Sequence, residues 1–181
     1  MNYEQGRAMQ LKPQDVVVLL KLVGLKEDWS YRSLADQLHI STGELHNALK
    51  RATHAQLFDP EQKRPRTSAL EEFLVHGLKY VFPAERGSLT RGMPTSYAAP
   101  PLNEVISAPQ GDNPPVWPDA EGRSRGYKLE PLYPSVPKAA RSDRALYELL
   151  ALVDAIRGGS VRERNLAIDH LRNRLRGKNA K

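Results

Sequence analysis

Polar and cationic side chains recur at helical spacing across residues 42–51: Thr42, Gly43, Glu44, His46, Asn47, Lys50 and Arg51. Leu45, Leu49 and Ala52 are interleaved with them, so one face of such a helix packs while the other stays outside. The outer set holds an amide, an imidazole and two cations but no nucleophile with an adjacent base. Its chemistry is that of recognition. An Asn47 amide can pair with the edge of adenine, and Lys50 or Arg51 can meet guanine or a phosphate. Thr42 and Gly43 at the helix start are small enough to permit close approach. Upstream, Arg32 and Ser33 are placed for phosphate contacts.

The elements that must position these residues are legible around them. Ser30 is a helix cap ahead of Leu34, Ala35 and Leu38. His39-Ile40 makes a tight break, and Ser41 and Glu44 have the spacing of a capping box at the start of the next helix. Before them, Pro13 suits the first turn of a helix that carries Val16, Val17, Leu19, Leu20 and Val23 and stops at Gly24. That helix is apolar nearly all round and should be central. The order of helix, break and polar-faced helix is that of a helix-turn-helix.

The stretch SLADQLHISTGELHNALKRA, residues 33–52, resembles the corresponding segment of bacterial winged-helix regulators, broadly of the MarR-like type. The resemblance covers about a third of the chain. It implies a double-stranded DNA partner, a β-wing after the recognition helix, and a location for that wing at residues 59–66. It also implies that Lys63, Arg64 and Arg66 are wing residues. Pro60 and Pro65 limit strand pairing there, which leaves a short basic loop as the alternative.

The rest of the chain divides by composition. Residues 83–137 hold eleven of the fourteen prolines and are expected to be loop, extended chain and short strands. Within them, Arg86, Arg91 and Tyr97 lie on an arm, residues 84–102, that could bind an anion, a small ligand or a protein partner. An ordered arm packed across the domain or onto another chain is favoured over a disordered linker. Residues 115–132 read as a β-hairpin with Trp117 and Tyr127 in its two strands and Arg123 and Arg125 near a basic tip. Residues 138–181 read as two helices separated by Gly158-Gly159, with Leu146, Leu149, Leu150 and Val153 on one stripe and Ala167, Ile168, Leu171 and Leu175 on the other.

The net charge is +6, and its distribution is uneven. Residues 1–66 carry ten basic and eight acidic side chains, residues 67–137 six and eight, and residues 138–181 eleven and five. The surplus therefore sits in the tail and not beside the polar-faced helix. Cysteine is absent, which excludes disulfides and thiolate chemistry. No phosphate-cradling, dinucleotide, nucleophile-elbow or zinc-protease motif occurs. Glu72 and His76 share a helical face, with no third ligand at a telling distance. The expectation is a cytoplasmic protein that is not an enzyme and needs no cofactor or metal, with no membrane association. Its fold class would be mainly α with minor β. The parts would be a helix-turn-helix domain (probable wing included) over 10–82, a proline-rich arm and hairpin over 83–137, and a C-terminal helical pair with a basic tail over 138–181. The expected function is a sequence-specific transcriptional regulator, a repressor acting as a homodimer. The C-terminal helices are its first candidate interface and the first helix its second. The alternative is an antitoxin or adaptor that autoregulates through the same head and holds a partner protein through residues 83–137.

Overall fold

A computed structural model describes residues 9–107, 111 and 113–177. The fold is α+β. Helix α1, Pro13–Gly24, starts with proline at its first turn, and the Asp15 carboxylate accepts the Lys12 backbone N–H at 2.8 Å. Residues Asp15 to Leu22 are all buried, as expected of a helix apolar on every side. Helices α2, Tyr31–Leu38, and α3, Thr42–His54, follow. Next come two-residue strands β1, Phe58–Asp59, and β2, Arg64–Pro65, paired antiparallel. Helix α4, Thr67–Glu72, runs through a π-helical turn at Phe73–Gly77 into α5, Leu78–Val81.

The middle of the chain closes on itself. Strands β3, Arg86–Pro94, β4, Pro115–Pro118, and β5, Ser124–Leu129, form a closed three-stranded barrel. The expected hairpin over 115–132 is not formed. Strands β4 and β5 run parallel, with Pro115 opposite Tyr127 and Val116 opposite Lys128, and each pairs antiparallel with the long β3. Glycines make the closure sterically possible. Closing so small a barrel brings backbones into contact at Gly92, where a Cβ would sit 2.0 Å from the Trp117 carbonyl oxygen, and at Gly126, where it would sit 1.9 Å from that of Pro114. Only glycine permits that approach.

Helices α6, Val136–Arg141, α7, Arg144–Gly158, and α8, Val161–Leu175, complete the chain. Asp143 caps α7 by accepting the Leu146 N–H, and Ser160 caps α8 by accepting the Glu163 N–H. Helix α7 is buried at Leu146 and continuously from Leu149 to Ile156, packed on α1, α5, α6, α8 and the 96–98 turn. One hydrophobic cluster runs from Val16 in α1 through Leu102 and Trp117 to Leu175 in α8. The faces proposed for self-association are therefore spent. The α7 and α8 stripes pack on each other, and α1 lies within the same cluster, so the dimer interfaces expected there are corrected to intramolecular core. Among the described residues no helix is long and apolar enough to cross a membrane.

The arm is ordered and packed across its own chain. Thr95, Ser96, Tyr97, Ala99, Pro101 and Leu102 are buried, and Tyr147 Oη donates to the Pro94 carbonyl at 2.7 Å. Burial pushes the Tyr147 hydroxyl pKa up to about 12.

The tail arginines also turn inward. Arg174 donates to Glu148 at 2.7 Å, Arg144 donates to the same carboxylate at 3.0 Å, and Arg172 reaches Glu71 at 2.9 Å. Glu148 thus joins the two helices. Burial works against its charge, but the bonds from Arg174 and Arg144 outweigh it and hold the carboxyl below its ordinary 4.5. A depressed native pKa adds stability above pH 4.5 that is lost as pH falls through the lowered value. Glu148→Gln should accordingly cost about 1–2 kcal/mol at pH 7. That deficit should close as urea titrations are repeated from pH 5 down to about 3. A deficit independent of pH would remove the charge from the explanation.

Candidate nucleic-acid interface

The α2–α3 pair is set by its caps. Ser30 Oγ accepts the Ser33 N–H, and Ser33 Oγ in turn accepts the Ser30 N–H, both at 3.1 Å. Ser33 is thereby engaged as half of a reciprocal cap. Leu34, Ala35 and Leu38 bury one face of α2. His39 ends the helix in the left-handed region at φ 53°, with the Ile40 N–H donating to the Ala35 carbonyl at 3.1 Å. Ser41 then caps α3 by accepting the Glu44 N–H at 3.0 Å. Only this half of the anticipated capping box exists, because the Glu44 side chain is engaged elsewhere.

Helix α3 buries Leu45, Ala48, Leu49 and Ala52 and exposes Thr42, Gly43, His46, Asn47 and Lys50. Two residues assigned to the outer face do not belong to it. Arg51 is only 5% exposed: its Nε and Nη2 clasp the wholly buried Asp15 carboxylate of α1 at 2.8 and 2.7 Å. The same Nη2 donates to Glu44 at 2.8 Å, and Gln14 donates to Glu44 at 3.0 Å. A buried carboxylate requires a charge partner, and Arg51 is the one within reach. Burial raises the Asp15 carboxyl pKa, opposed by the Arg51 bonds. Glu44 is lowered, since Arg51 and Gln14 outweigh its burial. The guanidinium of Arg51 is raised chiefly by its bond to Asp15. Both Glu44, half-buried, and Arg51, buried, are therefore tied to α1.

The segment after α3 is a short hairpin. Phe58 pairs with Pro65 and Asp59 with Arg64, and the Arg66 N–H donates to the Leu57 carbonyl at 2.8 Å. Asp59 Oδ1 accepts the N–H groups of Glu61 and Gln62, each at 3.0 Å, shaping the tip. Lys63, Arg64 and Arg66 are exposed, as is Arg32 on α2. None of these four, nor Lys50, makes an ion pair among the described residues.

Two aromatic residues overlooked in the sequence connect hairpin to helix. Trp29 Nε1 donates to the Lys63 carbonyl at 3.1 Å and meets Tyr31 edge-on at 5.4 Å. Tyr31, 40% exposed, lies 5.6 Å from the His46 ring on α3. A cleft of about 500 Å³ opens beside them, with Tyr31, His46, Lys50, His54, Phe58 and Pro60 in its walls. The signal available in the sequence was the pair of aromatics flanking the Ser30 cap.

Two of the arm residues, Arg86 and Tyr97, line one cleft, and Arg91 does not join them. Arg86 lies over the Tyr127 ring at 4.9 Å, Tyr97 is buried, and Arg91 is exposed in a different cleft, beside Arg123 and Arg125. Comparison with protein-family models, curated proteins and solved structures finds no match to the chain.

Arg51→Met should strand the Asp15 charge and cost about 3–5 kcal/mol. Asp15→Leu combined with Arg51→Met should recover most of that loss. Urea unfolding followed by far-ultraviolet circular dichroism measures both, and a single variant as stable as wild type would contradict the assignment.

Proposed function

We propose that the chain is a sequence-specific DNA-binding regulator in which α2, the 39–41 turn, α3 and the β1–β2 hairpin act as a small winged helix-turn-helix. The observation that carries this reading is the division of α3. One side is locked to α1 by the Asp15–Arg51–Glu44 cluster, while Thr42, Gly43, His46, Asn47 and Lys50 form an outer stripe that is exposed among the described residues. A helix that enters a major groove needs that rigid backing and that open face. The cluster also turns Glu44 inward, which removes a negative charge from the end of α3 that would meet DNA first.

In this reading Asn47 contacts a base, Lys50 a base or phosphate, and Arg32 a phosphate. The hairpin cations Lys63, Arg64 and Arg66 contact the flanking backbone. Trp29 fixes the hairpin relative to the helix through its bond to Lys63. The β-ladder is only two residues per strand, so the wing is short and its tip close to the body. The regulator acts as a homodimer, through a surface other than the α7 and α8 stripes, on a site with two half-sites about one helical turn apart.

Arg51 is unsuitable as a probe because its loss would disturb folding. Asn47→Ala with Lys50→Ala removes two exposed side chains instead. Duplexes selected from a random pool by the full chain should lose about 10–100-fold in affinity for this variant, with the thermal midpoint unchanged. A gapped, symmetric footprint would support the dimer. Full retention of sequence preference by the double variant would reject the reading.

A further inference from the structure

The barrel carries a second concentration of cations that α2, α3 and the hairpin do not explain. Arg91 on β3 stands directly opposite Arg125 on the antiparallel β5, and Arg123 lies just before β5. All three are exposed around an open cleft of about 660 Å³, which Leu89, Thr90, Gly122 and Ser124 also line. Among the described residues no acidic side chain borders it.

Like charges placed directly across an antiparallel pair repel, and the pair is destabilising unless something neutralises it. Within the described residues nothing does. None of the three guanidinium groups has a hydrogen-bond or ion-pair partner there. The acids that could serve are Asp119 and Glu121 on the β4–β5 connection. Arg141 of α6 holds both of them, Glu121 at 2.5 Å. The molecule thus withdraws the nearby carboxylates from the cleft and leaves three cations facing solvent together.

We propose that Arg91, Arg123 and Arg125 form a second phosphate-binding site that grips a nucleic-acid backbone without regard to sequence. Guanidinium forks match phosphate oxygens in geometry and remain charged at every physiological pH. The hydroxyls of Thr90 and Ser124 add neutral polar groups at the same edge. Small phosphorylated ligands are typically enclosed by their pockets. An open cleft with three spaced cations suits a continuous strand. The choice of a nucleic acid over free phosphate rests on the DNA-binding reading above, whereas the cation cluster itself does not.

The test uses the full chain and a labelled mixed-sequence duplex, with affinity followed by fluorescence anisotropy over a range of salt concentrations. Arg91→Gln, Arg123→Gln and Arg125→Gln together should weaken binding at low salt by about 10–100-fold. The same variant should reduce the slope of log affinity against log salt by roughly 2.7, the release expected from three phosphates. Its thermal midpoint should hold or rise as the Arg91–Arg125 repulsion disappears. Replacing the same three residues with lysine should preserve the slope. Asn47→Ala with Lys50→Ala should abolish sequence preference and leave most of the slope intact.

An unchanged slope in the glutamine variant overturns the proposal. So does a thermal upshift by inorganic pyrophosphate that disappears in that variant while duplex binding is unaffected, since the ligand is then a free phosphate. If the slope falls as expected but the α3 variant keeps its sequence preference, the barrel site stands and the α3 reading falls. Absence of any duplex affinity in the wild-type chain overturns both.

Discussion

The arrangement of the whole molecule depends on one buried carboxylate. Asp154, on α7, is 2% exposed and accepts from Thr95 Oγ1 at 2.7 Å, Trp117 Nε1 at 2.6 Å and Arg157 Nη1 at 2.7 Å. Thr95 follows β3 and Trp117 belongs to β4, so the carboxylate holds the barrel against the helix. Arg157 continues the connection, donating to the carbonyls of Phe82 at 2.9 Å and Pro83 at 3.2 Å. The end of α5, two parts of the barrel and α7 are thereby joined by two side chains less than one helical turn apart. Burial raises the Asp154 carboxyl pKa, opposed first by the Arg157 charge and then by its hydrogen bonds. Apolar packing alone would tolerate several placements of the barrel on α7. The carboxylate selects one, because any other leaves Trp117 Nε1 and Thr95 Oγ1 without their acceptor.

The Asp15–Arg51 pair repeats this logic between α1 and α3. In both places a buried acid on a largely buried helix recruits an arginine. The difference lies in what the arginine does next. Arg157 reaches backbone carbonyls and ties segments distant in sequence, whereas Arg51 reaches Glu44 and fixes the roll of α3 on α1. That roll decides which residues of α3 face outward. The candidate reading stripe is therefore a consequence of a buried ion pair, and its composition cannot be altered at Arg51 without altering its orientation.

Much of the helical framework was legible because its signals are local. Pro13, Gly24, Ser30, Ser41 and Ser160 lie at or beside helix ends, and the apolar spacing of α1, α3 and α7 predicts their buried faces. The failures share a cause, which is that pairing across long sequence separation leaves no local trace. Lys50 and Arg51 are equivalent as a basic dipeptide, and only the approach of Asp15, 36 residues away, draws one inward. An acid among valines in α1 was the available hint. Trp117 and Tyr127 do alternate as strand residues should, but alternation says nothing of the partner strand. The long β3 pairs antiparallel with both strands, and the two therefore run parallel to each other where a hairpin would run antiparallel. The C-terminal stripes were correctly seen as apolar. What they cover is fixed by Lys21, Glu71 and the other remote residues that anchor α7 and α8.

The distribution of charge changes meaning once these ties are known. By count the positive surplus belongs to residues 138–181, yet Arg141, Arg144, Arg157, Arg172 and Arg174 each bind a carboxylate of this same chain. Several of those carboxylates, Glu71 and Asp119 among them, come from the segment that is acidic by count. The tail thus neutralises the middle. The cations without a carboxylate partner among the described residues include Arg32, Lys50, Lys63, Arg64 and Arg66 around α3, and Arg91, Arg123 and Arg125 on the barrel. A polyanion responds to the field of unpaired cations and not to the formal total. Part of the tail's surplus is structural counter-charge to Glu71, Asp119 and Glu121 of the middle segment.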